Sequence, residues 1–245
     1  MRGEQQPSKI AKFHDRRQNG RAARVVYPSS DGKPMAETSV HIAELIHCFL
    51  TLEDFFAADA AVCVAADMFL YYEEGNPSAC VAPDLFIVKG VAKHDRDSYK
   101  LWEEGAVPSF VLELTSASTA AEDQRKRELY SRLGVGEYVL YDPRLEGRRR
   151  TARGGALTGY RRQEDRYEPL PVAAEGGLLS EQLGLRLVVE GGRLQCYDLS
   201  TGRRLLDPRE RAAVAEERAG AAEARVIELE RLLRQNPPAE PPGGP

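Results

Sequence analysis

Ala82-Pro83-Asp84-Leu85-Phe86-Ile87-Val88 is answered further along the chain by Ser109-Phe110-Val111-Leu112-Glu113-Leu114-Thr115. Both runs read as strands, because β-branched and aromatic residues dominate them and turn-forming segments bound them. Each carries one carboxylate. Glu113 sits between Leu112 and Leu114 in a near-continuous apolar pattern, which predicts a strand covered on both faces and therefore a desolvated acid. A buried charge of that kind needs a cation, a proton or a metal.

The next element supplies a partner. Thr119 and Glu122 have capping-box spacing and Gly134 stands where a helix C′ glycine belongs, so the segment between them reads as a helix. Its buried stripe is Leu129, Tyr130 and Leu133, and Lys126 lies three, four and seven residues before them, on the same inward face. The helix follows the Glu113 strand after a short connection and can fold back over it. Two strand acids and one inward lysine thus have a reason to meet.

Composition sets the frame around this trio. The chain has 245 residues, 42% of them hydrophobic, enough for one globular domain with appendages. A net charge of −4 means that any nucleic-acid contact must be local. Cys48, Cys63, Cys80 and Cys196 show no CxxC spacing, which argues against a zinc site and a disulfide framework and for reduced thiols in a cytoplasmic protein. No apolar run approaches the roughly 18 residues that span a bilayer, so no membrane partner is expected.

Working outward, residues 1–24 read as a disordered basic arm. A helix is expected from about Met35 to Phe56, with Ile42, Leu45, Ile46 and Phe49 as its buried stripe and Glu37, His41 and Glu44 along a polar edge; a solvated face is the ordinary reading of Glu44. Strands are expected at Ala61–Val64 and Met68–Tyr72. Residues 89–108, with His94, Trp102, Glu103 and Glu104, form a connection long enough to be functional. After the Lys126 helix, Glu137-Tyr138-Val139-Leu140-Tyr141-Asp142 reads as a strand stopped by Pro143. Helix, three strands, helix, strand is an α/β order with a mixed sheet.

From Arg144 to Arg166 the chain holds eight arginines against Glu146, Glu164 and Asp165, and Thr158-Gly159-Tyr160-Arg161-Arg162 and Arg166-Tyr167-Glu168 alternate like hairpin arms, a pattern that suits either phosphate contact and base stacking or an ordinary exposed hairpin. Leu185–Glu190 and Arg193–Leu199 read as a second hairpin extending the sheet. The core domain is placed at 25–206. Between 207 and 236 a helix carries Ala212, Ala215, Ala219, Ala222, Val226, Leu229 and Leu233 in alternating steps of three and four, a heptad seam that fits either a dimerising coiled coil or a helix docked on its own domain. Residues 237–245 read as a disordered Pro-rich tail.

Asp84 and Glu113 at a sheet edge are hard oxygen donors suited to Mg²⁺ or Mn²⁺, and with Lys126 they form the parts needed for metal-dependent phosphodiester hydrolysis. A plain Lys126–Glu113 salt bridge is the competing reading, and hydrolysis of another ester or a glycoside by the carboxylate pair is a third.

Pro83-Asp84, the run Glu113-Leu114-Thr115-Ser116-Ala117-Ser118-Thr119, Asp123-x-x-Lys126-x-x-x-Tyr130, and Leu133-Gly134-Val135-x-Glu137-Tyr138 with Asp142-Pro143 together resemble the Uma2 family of the PD-(D/E)XK nuclease superfamily. The resemblance spans about residues 30–200. It implies a restriction-endonuclease-like αβββαβ core with a mixed sheet, acting on DNA as an endonuclease, to which the residue patterns add extra β-hairpins and a C-terminal helix. By that resemblance Asp84 and Glu113 would be metal ligands, with Glu37 as a candidate third; together with Lys126, which its own helical spacing turns inward, they make the expected catalytic set Asp84, Glu113 and Lys126. The superfamily pattern Glu-x-Lys would put lysine at position 115, where this chain has Thr115; Lys126 is the replacement, and without it the domain would be a catalytically inactive nucleic-acid or protein-interaction module. A homodimer through the C-terminal helix would let two sites cut both strands of a duplex.

Overall fold

A computed structural model describes residues 25–30, 38–115, 120–144 and 157–235. The chain divides into two compact units, Met1–Leu205 and Leu206–Pro245. In the first, helix α1 (Ser39–Phe55) is followed by β1 (Val62–Ala66), β2 (Leu70–Tyr71), β3 (Cys80–Val81), β4 (Leu85–Lys89), β5 (Tyr99–Lys100), the short helix α2 (Leu101–Glu104) and β6 (Phe110–Leu114). Helix α3 (Ala120–Leu133) then leads to β7 (Glu137–Tyr141), β8 (Leu157–Gln163), β9 (Arg166–Pro169), β10 (Leu178–Ser180), β11 (Leu185–Glu190) and β12 (Arg193–Asp198). The second unit contains α4 (Pro208–Gln235).

Six strands form the central sheet in the order β1-β4-β6-β7-β8-β9. Among the described residues of this sheet only β6 and β7 pair in parallel, and α3 is the crossover that a parallel pair requires. Taken without β2, β3, β5 and α2, the order α1-β1-β4-β6-α3-β7 is the expected αβββαβ core with its mixed sheet. The insertions build a separate small sheet, β3-β2-β5.

Strand alternation divides the core into two layers. Leu85 and Ile87 of β4, Phe110, Leu112 and Leu114 of β6, and Val139 and Tyr141 of β7 face α1 and the β10–β12 sheet. Phe86, Val88, Val111 and Tyr138 face the opposite side, where they meet Tyr130 of α3 and Leu70 and Tyr99 of the small sheet. Burial of each such Leu, Ile or Phe contributes about 1.5–3 kcal/mol, so the register of β4 and β6 is strongly fixed. Glu113 shares the parity of Val111 and is thereby aimed at α3. That helix ends at Leu133 because Gly134, at φ +89°, takes the left-handed conformation while its N–H and that of Val135 close on the Tyr130 carbonyl.

Three expectations are corrected. The buried residues of α1 are Glu44, His47, Cys48, Thr51 and Leu52, whereas Ile42 and Ile46 are 48% and 41% exposed. The cause is β12, an edge strand whose Leu194 N–H donates to Glu44 Oε2 at 3.4 Å and whose Leu194 carbonyl accepts from His47 Nε2 at 3.1 Å. Covering that open edge turns the polar side of the helix inward. Glu44 is therefore no solvated residue; Arg193 Nε also donates to it at 3.2 Å. The β11–β12 hairpin does not extend the central sheet but joins β10 in a sheet of its own.

The long connection after β4 is a packed structure. Arg96, with a side chain only 3% exposed, donates to both oxygens of Glu104 at 2.6 and 2.9 Å and to the Ala92 and His94 carbonyls. Trp102 packs on Tyr27, whose ring also meets Tyr71. The expected hairpin of arginine and tyrosine is present as β8–β9, joined by Glu164 and Asp165 with Glu164 at φ +54°. Residues 1–24, the arginines between 145 and 156, and the tail from 236 lie outside the described residues.

Candidate active site

The antiparallel register of β4 and β6 pairs Leu85 with Leu112, so one step further Asp84 stands opposite Glu113. The two acids are cross-strand neighbours on the α3 side of the sheet. Asp84 Oδ2 accepts from the Leu114 N–H at 2.6 Å, which pins its carboxylate over the end of β6. Its Oδ1 faces His41 Nε2 of α1 at 3.5 Å. The Asp84 side chain remains 22% exposed, so the site opens to solvent at that acid.

Glu113 is buried, and α3 supplies both of its side-chain partners. Lys126 Nζ donates to Oε2 at 2.7 Å and Tyr130 Oη to Oε1 at 2.7 Å. Lys126 and Tyr130 are one turn apart, so a single helix face delivers both. Lys126 points inward, with 19% of its side chain exposed. The sequence trio Asp84, Glu113 and Lys126 is brought together. Tyr130 was legible as a core residue and as a motif position; the signal for its bond to Glu113 was its i+4 spacing from Lys126.

The electrostatics follow from burial. Desolvation raises the Glu113 carboxyl to about 7, with Asp84 adding to the rise and Lys126 opposing it. Burial alone would lower the Lys126 ammonium, but the Glu113 carboxylate, its hydrogen bond and Asp84 together hold it above its ordinary value. One ammonium thus faces two carboxylates. That surplus of negative charge on hard oxygen donors fits a divalent cation.

Thr115, in the place of the motif lysine, has the same parity as Glu113. Its hydroxyl donates to Asp123 Oδ2 at 2.5 Å, so the threonine ties the end of β6 to the first turn of α3. Asp123 is buried, and nothing in the sequence spacing singled out this pair. Glu37, the third expected ligand, lies outside the described residues, as does the capping Thr119. The amine lying against Glu113 also gives no support to a glycosidase-like carboxylate pair working without a lysine.

A mixed sheet presenting one acid from each of two neighbouring strands, with a lysine delivered by the following helix, defines a restriction-endonuclease-like α/β protein. The Uma2 family model, described as "Putative restriction endonuclease", matches residues 12–195, and the chain belongs to that nuclease-like family. A solved structure described as "a putative nuclease belonging to DUF820" from Anabaena variabilis ATCC 29413 is similar at 14% identity, covering 59% of this chain and 77% of that one, with a TM-score of 0.40. No curated protein matches the chain. Among the described residues, no helix is long and apolar enough to cross a membrane.

Proposed function

We propose that this chain is a divalent-metal-dependent DNA endonuclease that hydrolyses phosphodiester bonds. The observation carrying the reading is Lys126 Nζ at 2.7 Å from Glu113 Oε2, because it puts an amine beside the two acids although Thr115 holds the usual lysine position. Asp84 and Glu113, with Glu37 as the expected third ligand, would hold Mg²⁺ or Mn²⁺. When bound, the ion would lower the pKa of a coordinated water and offset charge on the phosphate.

The protein groups divide the remaining work. The Leu114 N–H and the Tyr130 hydroxyl fix the two carboxylates, so their donor atoms are oriented before a cation arrives. Lys126, kept charged by its acidic neighbours, donates toward the attacking water or a phosphate oxygen and stabilises negative charge as it develops. Thr115 supports a second reading, a nuclease-fold module that binds nucleic acid or protein without cleaving.

Supercoiled plasmid incubated with Mg²⁺ or Mn²⁺ separates the two. The endonuclease reading expects nicking by the parent and a loss of roughly 10²–10³-fold in Asp84→Asn, which keeps the Leu114 contact but removes a ligand charge. Equal nicking by both proteins identifies a contaminant. Shifted but uncut DNA selects the binding module.

Metal affinity should also depend on pH in a stated direction. With its carboxyl raised from 4.5 to about 7, Glu113 carries a proton in the metal-free protein below that value, and a cation must displace it. Mn²⁺ affinity measured by titration calorimetry is expected to weaken on going from about pH 8 to about pH 5.5, approaching tenfold per unit once below the carboxyl pKa. Affinity that stays level across that range would remove Glu113 from the ligand set.

A further inference from the structure

We infer that α4 joins two copies of this chain in a parallel, in-register, two-stranded coiled coil. The helix is built to start at a fixed place. Pro208 occupies its first position, Asp207 Oδ1 accepts from the Glu210 N–H at 2.9 Å, and Glu210 Oε2 accepts from the Asp207 N–H at 3.0 Å. It then runs 28 residues with none buried. Val226, Leu229 and Leu233 stand 54%, 43% and 62% exposed on one seam. Helices draw most of their stability from packing an apolar face, and this face has no cover within the helix itself.

The occupant is specified by charge. With Ala212, Ala219, Val226 and Leu233 at heptad position a and Ala215, Ala222 and Leu229 at d, the residue before each of the first three a positions is Arg211, Arg218 or Arg225. The residue after each d position is Glu216, Glu223 or Glu230. These are the g and e positions, which flank the seam. In a parallel dimer, g of one chain meets e of the next heptad of the other. Arg211 then faces the partner's Glu216, Arg218 the partner's Glu223, and Arg225 the partner's Glu230. Two-fold symmetry repeats all three attractions. An antiparallel pair would set g against g and e against e, arginine on arginine and glutamate on glutamate. Among the described residues, Glu216, Arg218, Glu223 and Arg225 have no ion-pair partner within the chain.

The seam itself agrees with two strands. Val226 at a with Leu229 at d is the β-branched and Leu combination that favours dimers, and the four alanines let the helices approach closely toward the N-terminal end. A second copy of this chain carries the complementary charge pattern by construction. Because both helices run the same way, chain connectivity attaches both first units to the same end of the rod. Only the consequence of that attachment, two sites tethered near one duplex, rests on the nuclease reading.

Sedimentation of the full-length protein tests the assembly without reference to cleavage. The parent is expected as a two-chain species. Arg218→Glu with Arg225→Glu should raise the dimer dissociation constant by roughly tenfold or more, since four interhelical attractions become repulsions. Adding Glu223→Arg and Glu230→Arg to that variant should restore the dimer, which separates a lost interface from a lost helix. Leu233→Cys reports direction, because an a position meets its own counterpart only in a parallel pair. Oxidation should give covalent dimers of this variant and none of the parent with its native cysteines. A monomeric parent overturns the inference, and so does unrestored dimerisation in the four-fold swap. Crosslinking only when cysteines stand at both Ala215 and Leu233, a d and an a position that meet in an antiparallel pair, would establish the antiparallel arrangement and overturn the direction.

Discussion

Replacing Lys126 by methionine is expected to lower Mn²⁺-supported plasmid nicking by roughly 10²–10³-fold, the range seen when one preorganised donor to a developing charge is removed. Methionine preserves the aliphatic stem and much of the volume, so the substitution deletes the ammonium with little repacking. Two losses then act together. The phosphate loses a donor beside the acids, and Glu113 loses the cation that opposes its desolvation. Its carboxyl should rise further and hold its proton against the metal, so Mn²⁺ affinity near neutral pH should fall in the same variant.

Lysine and arginine are not equivalent here. Lys126→Arg restores charge but presents a planar fork where a compact ammonium sits 2.7 Å from Glu113 Oε2. That variant should recover Mn²⁺ binding more fully than turnover, a split that a purely structural ion pair would not produce. Nicking by Lys126→Met within about threefold of the parent would mean that the pair only holds α3 to the sheet.

Much of this constellation was legible because it rests on short-range patterns. The apolar run around Glu113 marked it as a desolvated acid, and helical spacing placed Lys126 on the face of Tyr130. Where the sequence misled, a distant backbone group was in command. Ile42 and Ile46 look like core residues by periodicity, yet Leu194, some 150 positions away, needs a carboxylate and an imidazole for its N–H and carbonyl, and it rotates the helix to obtain them. No local period encodes that demand. The same limit hid the Thr115–Asp123 bond and the separate β10–β12 sheet, since side-chain alternation states which face of a strand is buried but not which sheet receives it.

Another such long-range contact sets the second large expectation. Glu137, the first residue of β7, is fully buried, and four donors converge on it. Arg161 Nε lies at 3.1 Å, the Glu181 and Gln182 N–H groups at 3.0 and 3.4 Å, and the Ser180 hydroxyl also donates to it. One carboxylate therefore ties β7, β8 and the end of β10 together. Glu137→Ala should destabilise the first unit by about 3–5 kcal/mol, because breaking one side of a buried ion pair strands the groups that faced it. Arg161 keeps Glu181 at 2.6 Å, but that acid is largely exposed and cannot replace the acceptor inside. Glu137→Gln retains one oxygen and the shape, and about 1–2 kcal/mol is expected. Urea denaturation compares the three proteins. Glu113 lies opposite Leu140 and Glu137 opposite Phe110, three residues or about 10 Å apart along the strand pair, so Glu137→Gln should keep its nicking activity under conditions where it is folded. An alanine variant within about 1 kcal/mol of the parent would mean that water satisfies those donors as well as the carboxylate does, and the three-way tie would then be a consequence of the fold instead of a cause.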